Sequence, residues 1–189
     1  TKDHYFSPSK QGFLKKFPEA EPRHRGLYID GIRIETIFLW PVHIGSSSAK
    51  KDVWYSYIGS YGCKHISSIR QKIMDDNHPK DCICVNRQGW QFDLDVYQEQ
   101  ILGQNISAFH RYVARKKSEF YKDVLSRSRF ALCPSGTGPA IIRFLETLGS
   151  GAIPVILSDG MMFPTLRGVN WKDCCIKIPE KNYHTLRDT

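Results

Sequence analysis

From residue 53 onward, short apolar runs alternate with stretches whose apolar positions recur every three or four residues. Val53 to Ile58 (VWYSYI) predicts a strand, and Ile66, Ile69, Ile73 and Met74 then fall on one helical face. Asp81 to Asn86 (DCICVN) predicts the next strand, and Asp93 to Gln104 is a weaker helical stretch. A basic run, His110 to Lys117, precedes Phe120, Tyr121, Val124 and Leu125 at helical spacing. Phe130 to Cys133 predicts a strand ended by Pro134, Pro139 to Gly149 a helix, Ala152 to Leu157 a strand and Cys174 to Ile178 a last strand. Strands that are apolar along their whole length are covered on both faces, so the pattern predicts an α/β fold: a Rossmann-like parallel sheet with helices on both faces.

Before this rhythm the chain reads differently. Thr1 to about Arg25 is polar, basic and interrupted by Pro8, Pro18 and Pro22, which predicts an irregular arm. Ile32 to Trp40 (IRIETIFLW) predicts a strand stopped by Pro41, and Gly45 to Lys51 (GSSSAKK) a polar linker. Two units are expected, residues 1–50 and an α/β domain over residues 51–189. No apolar run approaches the length of a membrane span. The absence of Met at position 1 predicts a processed or trimmed start.

With 41% hydrophobic and 24% charged residues among 189, the composition excludes long-range disorder and collagen-like or coiled-coil architectures. Lys and Arg number 27 against 19 Asp and Glu, a net +8 that favours anionic partners: phosphates, acidic glycans, nucleic acid or a lipid surface. The six cysteines (63, 82, 84, 133, 174 and 175) lack the C-x-x-C spacing of a zinc site and read as reduced core thiols.

In open α/β sheets ligands bind beyond the carboxyl ends of the strands. Those ends carry Gly59, Ser60 and Gly62; then Asn86, Arg87 and Gln88; then Ser135 to Gly138; then Ser158, Asp159 and Gly160. In Cys133 to Pro139 (CPSGTGP) the glycines let backbone approach a ligand, Ser135 or Thr137 suits a cap, and Pro139 suits the first helical position. A helix started there aims its free N–H groups at the crevice, an arrangement that attracts phosphate. Arg143 and Glu146 share one helical face. Two readings stay open: a guanidinium clamping a diphosphate beside a carboxylate accepting ribose hydroxyls, or an exposed i, i+3 ion pair worth a few tenths of a kcal/mol.

Phe130, Pro134, Gly136, Arg143, Glu146, Gly151, Ile153, Pro154, Val155, Ser158, Asp159, Pro164 and Trp171 occur in an order and spacing that resembles the exostosin-like glycosyltransferases of family 47. Upstream, VWYSYIGSYG and Ile69-Arg70 are similar to the family's preceding strand and loop, so the likeness covers roughly the C-terminal three quarters. Thr147, where the family usually has Ala, and Ala152, where it often has Cys, mark a divergent member.

The resemblance implies the C-terminal, donor-binding half of a GT-B glycosyltransferase, with residues 1–50 an arm and a remnant of the acceptor-side domain. It implies sugar transfer, with inversion, from a nucleotide diphosphate sugar to a glycan hydroxyl in polysaccharide or glycoconjugate synthesis. The donor is expected to be UDP-linked and the transferred sugar a hexose or pentose, with no cofactor and no metal. Glu146 would bind ribose, Arg143 with Ser135 and Gly136 the diphosphate, and Gly59 and Ser60 would border the cleft. Arg87 is added from the strand-end rule as a second phosphate or base contact. No catalytic residue is assigned: His43, His65 and His110 are lone histidines, and in this fold the general base commonly comes from the acceptor side. The triplet Asp93-Leu94-Asp95 reads as a chance likeness to a metal-binding D-x-D.

The expected partners are the nucleotide sugar, a glycan acceptor and an acceptor-side domain or partner chain; the basic run suits an anionic acceptor or a membrane surface. A non-catalytic nucleotide- or glycan-binding module is the alternative. Nucleic acid is not an expected partner, because no nucleic-acid motif appears and the basic residues are dispersed. The length leaves room for one domain of a two-domain transferase, so a fragment or a reduced member is expected.

Overall fold

The computed structural model describes residues 21–23, 26–29, 32–34, 41, 43–61, 65–87, 103, 105–136, 141–161, 163 and 168–187. Three short strands come first: β1 (Glu21–Arg23), β2 (Gly26–Ile29) and β3 (Ile32–Ile34), paired antiparallel in the order β1-β2-β3. This corrects the irregular arm expected through Arg25, since Glu21–Arg23 pairs with Gly26–Ile29. Of the strand expected over residues 32–40, residues 35–40 lie outside the described residues.

The main sheet contains β4 (Val53–Gly59), β5 (Ile83–Asn86), β6 (Ser128–Pro134), β7 (Ile153–Leu157) and β8 (Ile176–Lys177), in the order β5-β4-β6-β7-β8 with every neighbouring pair parallel. Helices α1 (Ile69–Asp75), α2 (Ala108–Arg127) and α3 (Ile142–Gly149) connect them. The Rossmann-like parallel sheet expected from the apolar runs is present. Alternate side chains explain those runs: Tyr55, Tyr57, Leu132, Val155 and Leu157 pack with Ile69 and Ile73 of α1. Ile58 and Ala131 pack instead against Tyr121, Val124 and Leu125 of α2, and Cys133 and Ile156 against Phe144 of α3. The central strands β4, β6 and β7 bury side chains on both faces, whereas the edge strands β5 and β8 are only partly buried.

Three elements differ from expectation. The basic run and the apolar positions behind it form one 20-residue helix, α2, capped by Ser107, whose Oγ accepts from the His110 N–H at 3.3 Å. Helix α3 begins at Ile142 rather than Pro139: its N-cap, Ile141, is extended (φ −124°, ψ 106°) and provides no side-chain cap, the Ser135 hydroxyl bonds Glu180 instead, and Thr137 lies outside the described residues. The last strand shrinks to Ile176–Lys177, because Trp171–Asp173 form a 3-10 turn that Asn170 caps through Lys172 N–H. The helical stretch at residues 93–104 lies outside the described residues apart from 103.

The segment expected as a linker is a strap. The Gly45 N–H donates to Ser150 Oγ at 2.8 Å, and Lys51 Nζ donates to Ser126 O at 2.6 Å and Ser150 O at 3.0 Å. These carbonyls end α2 and α3, where no intrahelical donor remains and a cation complements the helix dipole. The five described cysteines are free thiols, and Cys133 is fully buried.

Candidate functional site at the fork of β4 and β6

The chain passes from β4 outward to β5 and then returns to the other side of β4 to lay down β6, which makes the β4–β6 boundary the topological switch point. The pairing of these strands runs from Val53↔Ser128 to Ser56↔Ala131, and the carboxyl-terminal residues beyond it form no registered pairs. Arg143, in the first turn of α3, fills the resulting fork. Its guanidinium donates to the Ile58 carbonyl of β4 and, at 3.5 Å, to the Leu132 carbonyl of β6. It lies 4.7 Å from the Tyr57 ring centroid, and its Nε donates to Tyr121 Oη at 3.3 Å. Burial presses its pKa down, but the oxygens of Tyr121, Tyr57 and the Cys133 thiol outweigh this and raise it, so the group is a fixed cation.

Two further guanidiniums flank the fork. Arg70, in the first turn of α1, donates from Nε to Ser135 O at 2.7 Å and from Nη1 to Ser60 O at 3.2 Å, tying the loop after β4 to the loop after β6. Arg87 follows β5, and its N–H donates to Gly59 O at 2.8 Å. Burial lowers the pKa of both, and the Arg143 charge lowers each further, so each of the two flanking cations senses Arg143. Such concentrated positive charge in a partly desolvated crevice favours a polyanion.

Glu146 lies one turn deeper and is fully buried. The His43 N–H donates to its Oε1 at 3.0 Å and the Tyr121 hydroxyl to its Oε2 at 2.9 Å. The exposed ion-pair reading is therefore excluded: Tyr121, itself buried, stands between Arg143 and Glu146 and bonds both. The carboxylate faces the strap, and no part of it reaches solvent.

The remaining expected residues divide. Gly59 and Ser60 border the crevice, and a Cβ at Gly59 would stand 2.6 Å from Tyr57 Oη. Ser135 is fully buried and committed to protein: its N–H donates to Leu157 O, its hydroxyl to Glu180 Oε1 at 2.7 Å, and its carbonyl accepts from Arg70. Gly136 is half-buried and its carbonyl accepts from Ile66 N–H at 2.9 Å. His43 turns its ring to Ser118 and the edge of Tyr121, and His110 sits at the start of α2, so neither faces the fork. Among the described residues no three His, Cys, Asp or Glu side chains group as a metal site, and residues 93–95 lie outside them.

Arg70 and Tyr121 were not singled out from the sequence. Arg70 follows the logic applied to Arg143, a cation in the first turn of a helix leaving a strand end. Tyr121 had counted only as one of α2's apolar positions.

Beside the fork, a cavity of about 330 Å³ opens between α2 and the ends of β4 and β5. Ile58, Val85, Val113 and Phe120 supply apolar wall, while Arg87, Lys116 and Lys117 are its charged groups.

The sequence profile of the exostosin GT47 domain matches residues 44–189. The chain is 34% identical over 77 residues to the probable glucuronoxylan glucuronosyltransferase IRX7 of Arabidopsis thaliana, covering 41% of this chain and 17% of that protein. It is 30% identical over 99 residues to the exostosin-1 homolog of Caenorhabditis elegans, 52% of this chain and 23% of the relative. It is 35% identical over 63 residues to the probable beta-1,4-xylosyltransferase IRX10L of Arabidopsis thaliana, 33% and 15% respectively. The matched region thus spans less than a quarter of the length of each of these relatives.

Proposed function

This chain belongs to the exostosin GT47 family, and we propose that it is the donor-binding half of an inverting glycosyltransferase that moves a sugar from a nucleotide diphosphate sugar to a glycan hydroxyl. The observation that carries this reading is the arrangement of the Arg70 and Arg143 guanidiniums on the Ser60 and Ile58 carbonyls, with the Arg87 backbone N–H on Gly59 O between them, at the switch point of the sheet. A diphosphate lying across the segment from Ile58 to Ser60 meets two guanidiniums held in place, those of Arg70 and Arg143. When the acceptor oxygen bonds to the anomeric carbon from the opposite face, the bond from that carbon to the diphosphate oxygen breaks. The negative charge left on the diphosphate is stabilised by guanidiniums already in place, at little reorganisation cost. The acceptor's proton leaves to a base supplied from the acceptor side.

In this reading Arg143 is the principal diphosphate contact and Glu146 holds it in position through Tyr121. A direct bond from Glu146 to a ribose hydroxyl requires the strap at His43 to move away. A UDP-linked hexose or pentose and a glycan acceptor complete the proposal, and it gives no step to a metal.

Calorimetry with inorganic pyrophosphate tests it. Arg143→Ala and Arg70→Ala should each weaken binding at least tenfold, the scale of one lost charge-assisted contact. Equal affinity in both variants and the parent chain refutes the assignment. Release of free nucleotide from a nucleotide sugar on addition of a glycan acceptor separates a transferase from a binding module that shares the same crevice.

A further inference from the structure

We propose that Glu180 is a positioning residue for the crevice: its carboxylate fixes Ser135, and the Ser135 carbonyl in turn aims the Arg70 guanidinium. The inference rests on the diphosphate reading of the fork and gives a role to a residue that acts through two others.

Helix α1 needs a hold from outside. It has seven residues and its N-cap, Ser68, makes no side-chain cap, and a helix so short is not stable on its own backbone bonds. Ile69 and Ile73 seat it in the core, while Arg70 is half-buried. The aim of Arg70 therefore depends on how the start of α1 is tied to the loop after β6. Two backbone acceptors of that loop supply ties: Ser135 O takes Arg70 Nε–H at 2.7 Å, and Gly136 O takes Ile66 N–H at 2.9 Å.

The side chains order that loop in one direction. An ionised carboxylate only accepts, so the 2.7 Å bond between Ser135 Oγ and Glu180 Oε1 commits the Ser135 proton to Glu180. The Ser67 hydroxyl, 3.0 Å from Ser135 Oγ, is then the donor of that pair, and its own oxygen accepts from Ile69 N–H at 3.4 Å. A directed chain thus runs from the first turn of α1 through Ser67 and Ser135 to Glu180, and a charged terminal acceptor strengthens it. Ser135 is fully buried, so water does not replace a partner that is withdrawn. Glu180 is itself held in place. It opens the 3-10 segment Glu180–Arg187 after β8, and its N–H donates to Asp159 Oδ1 at 3.0 Å. From the same segment the Tyr183 hydroxyl donates at 3.0 Å to Oδ2 of Asp76, the C-cap of α1. The segment after β8 therefore grips both ends of the helix that carries Arg70.

Calorimetry on the full chain with inorganic pyrophosphate tests the proposal through double-mutant cycles. Glu180→Ala should weaken binding about threefold or more, and Glu180→Gln less, because its amide oxygen still accepts from Ser135. In the Arg70→Ala background the Glu180→Ala loss should disappear, whereas in the Arg143→Ala background it should persist. A merely structural role would not make the loss depend on which arginine is present. Thermal melts confirm that each variant folds, and Ser135→Ala, which cuts the same chain and keeps the carbonyl, replaces Glu180→Ala if that variant does not. Unchanged affinity in Glu180→Ala overturns the positioning role and leaves the diphosphate reading intact. A loss of the same factor with and without Arg70 overturns the route through Arg70, and equal losses in Glu180→Gln and Glu180→Ala overturn the acceptor bond as its cause. Failure of the parent chain to bind pyrophosphate overturns the underlying reading and this one with it.

Discussion

Two tyrosines touch Arg143, and removing their hydroxyl groups should have opposite consequences. Tyr121 Oη accepts from Arg143 Nε at 3.3 Å and donates to Glu146 Oε2 at 2.9 Å, at a carboxylate with no solvent exposure. Tyr121→Phe removes a buried hydrogen bond to a charged group, worth about 1.5–3 kcal/mol. At about 2–4 °C per kcal/mol for a domain of this size, the midpoint of thermal unfolding should fall by roughly 3–12 °C. The Tyr57 hydroxyl is buried with no hydrogen-bond partner among the described residues. Tyr57→Phe therefore removes an unsatisfied polar group, and stability should be unchanged or rise by up to about 1 kcal/mol. Tyr55→Phe provides an intermediate case, because its hydroxyl meets the His78 ring at 2.9 Å in a bond between uncharged groups worth about 1 kcal/mol. Urea and thermal unfolding followed by circular dichroism should give the order Tyr121, Tyr55, Tyr57 from most to least destabilising. Equal losses at Tyr121 and Tyr57 would show that the hydroxyl bridge holds nothing together, and the account of Glu146 as an anchor would fail.

Gly59→Ala places a methyl group 2.6 Å from Tyr57 Oη and 3.2 Å from Arg143 Nη2, so both must shift. We expect a cost of about 1–3 kcal/mol and weakened pyrophosphate binding, partly restored in Gly59→Ala/Tyr57→Phe by removing the nearest atom; no restoration in calorimetry would refute the steric account. The Asp52–Arg127 pair at 2.9 Å makes a pH-dependent prediction. The hydrogen bond from Arg127 holds the Asp52 carboxyl below its ordinary pKa, so the unfolded chain takes up the proton first as pH falls. The pair's contribution is full above the ordinary aspartate range and is lost as pH drops through the lowered folded value. Melting curves of Asp52→Asn and the parent chain should differ slightly at pH 7 and converge toward pH 3; a gap that widens in acid would reverse the sign.

The sheet is legible because its central strands carry apolar residues on both faces, a pattern that needs no knowledge of neighbours. The rule that ligands bind beyond the carboxyl ends of parallel strands singles out Gly59 and Arg87, whereas the order of the strands, which brings Arg143 to the fork of β4 and β6, is visible only in the structure. The start of α3 was misread because Pro139 suits a first turn on local grounds, whereas the helix begins at Ile142. The strap was misread because Gly45 to Lys51 is polar and small, the composition of a flexible connector. Its order comes instead from the exposed carbonyl ends of α2 and α3, acceptors that no local pattern reveals. Glu146 shows the same limit: periodicity placed it beside Arg143 but not under the strap.

Burial of Glu146 changes what the Arg143–Glu146 spacing means. A solvated i, i+3 pair would contribute little and either residue could vary freely. Here the carboxylate is closed off from water, and its donors come from two parts of the chain far apart in sequence, the backbone of residue 43 and the side chain of residue 121. Withdrawing either donor leaves charge under-compensated in a buried place, which costs more than the bond itself contributes. The same Tyr121 hydroxyl that bonds this carboxylate also receives the Arg143 Nε–H. Strap attachment and guanidinium orientation therefore draw on one set of buried hydrogen bonds, and the position of the cation at the fork depends on how the chain enters the domain.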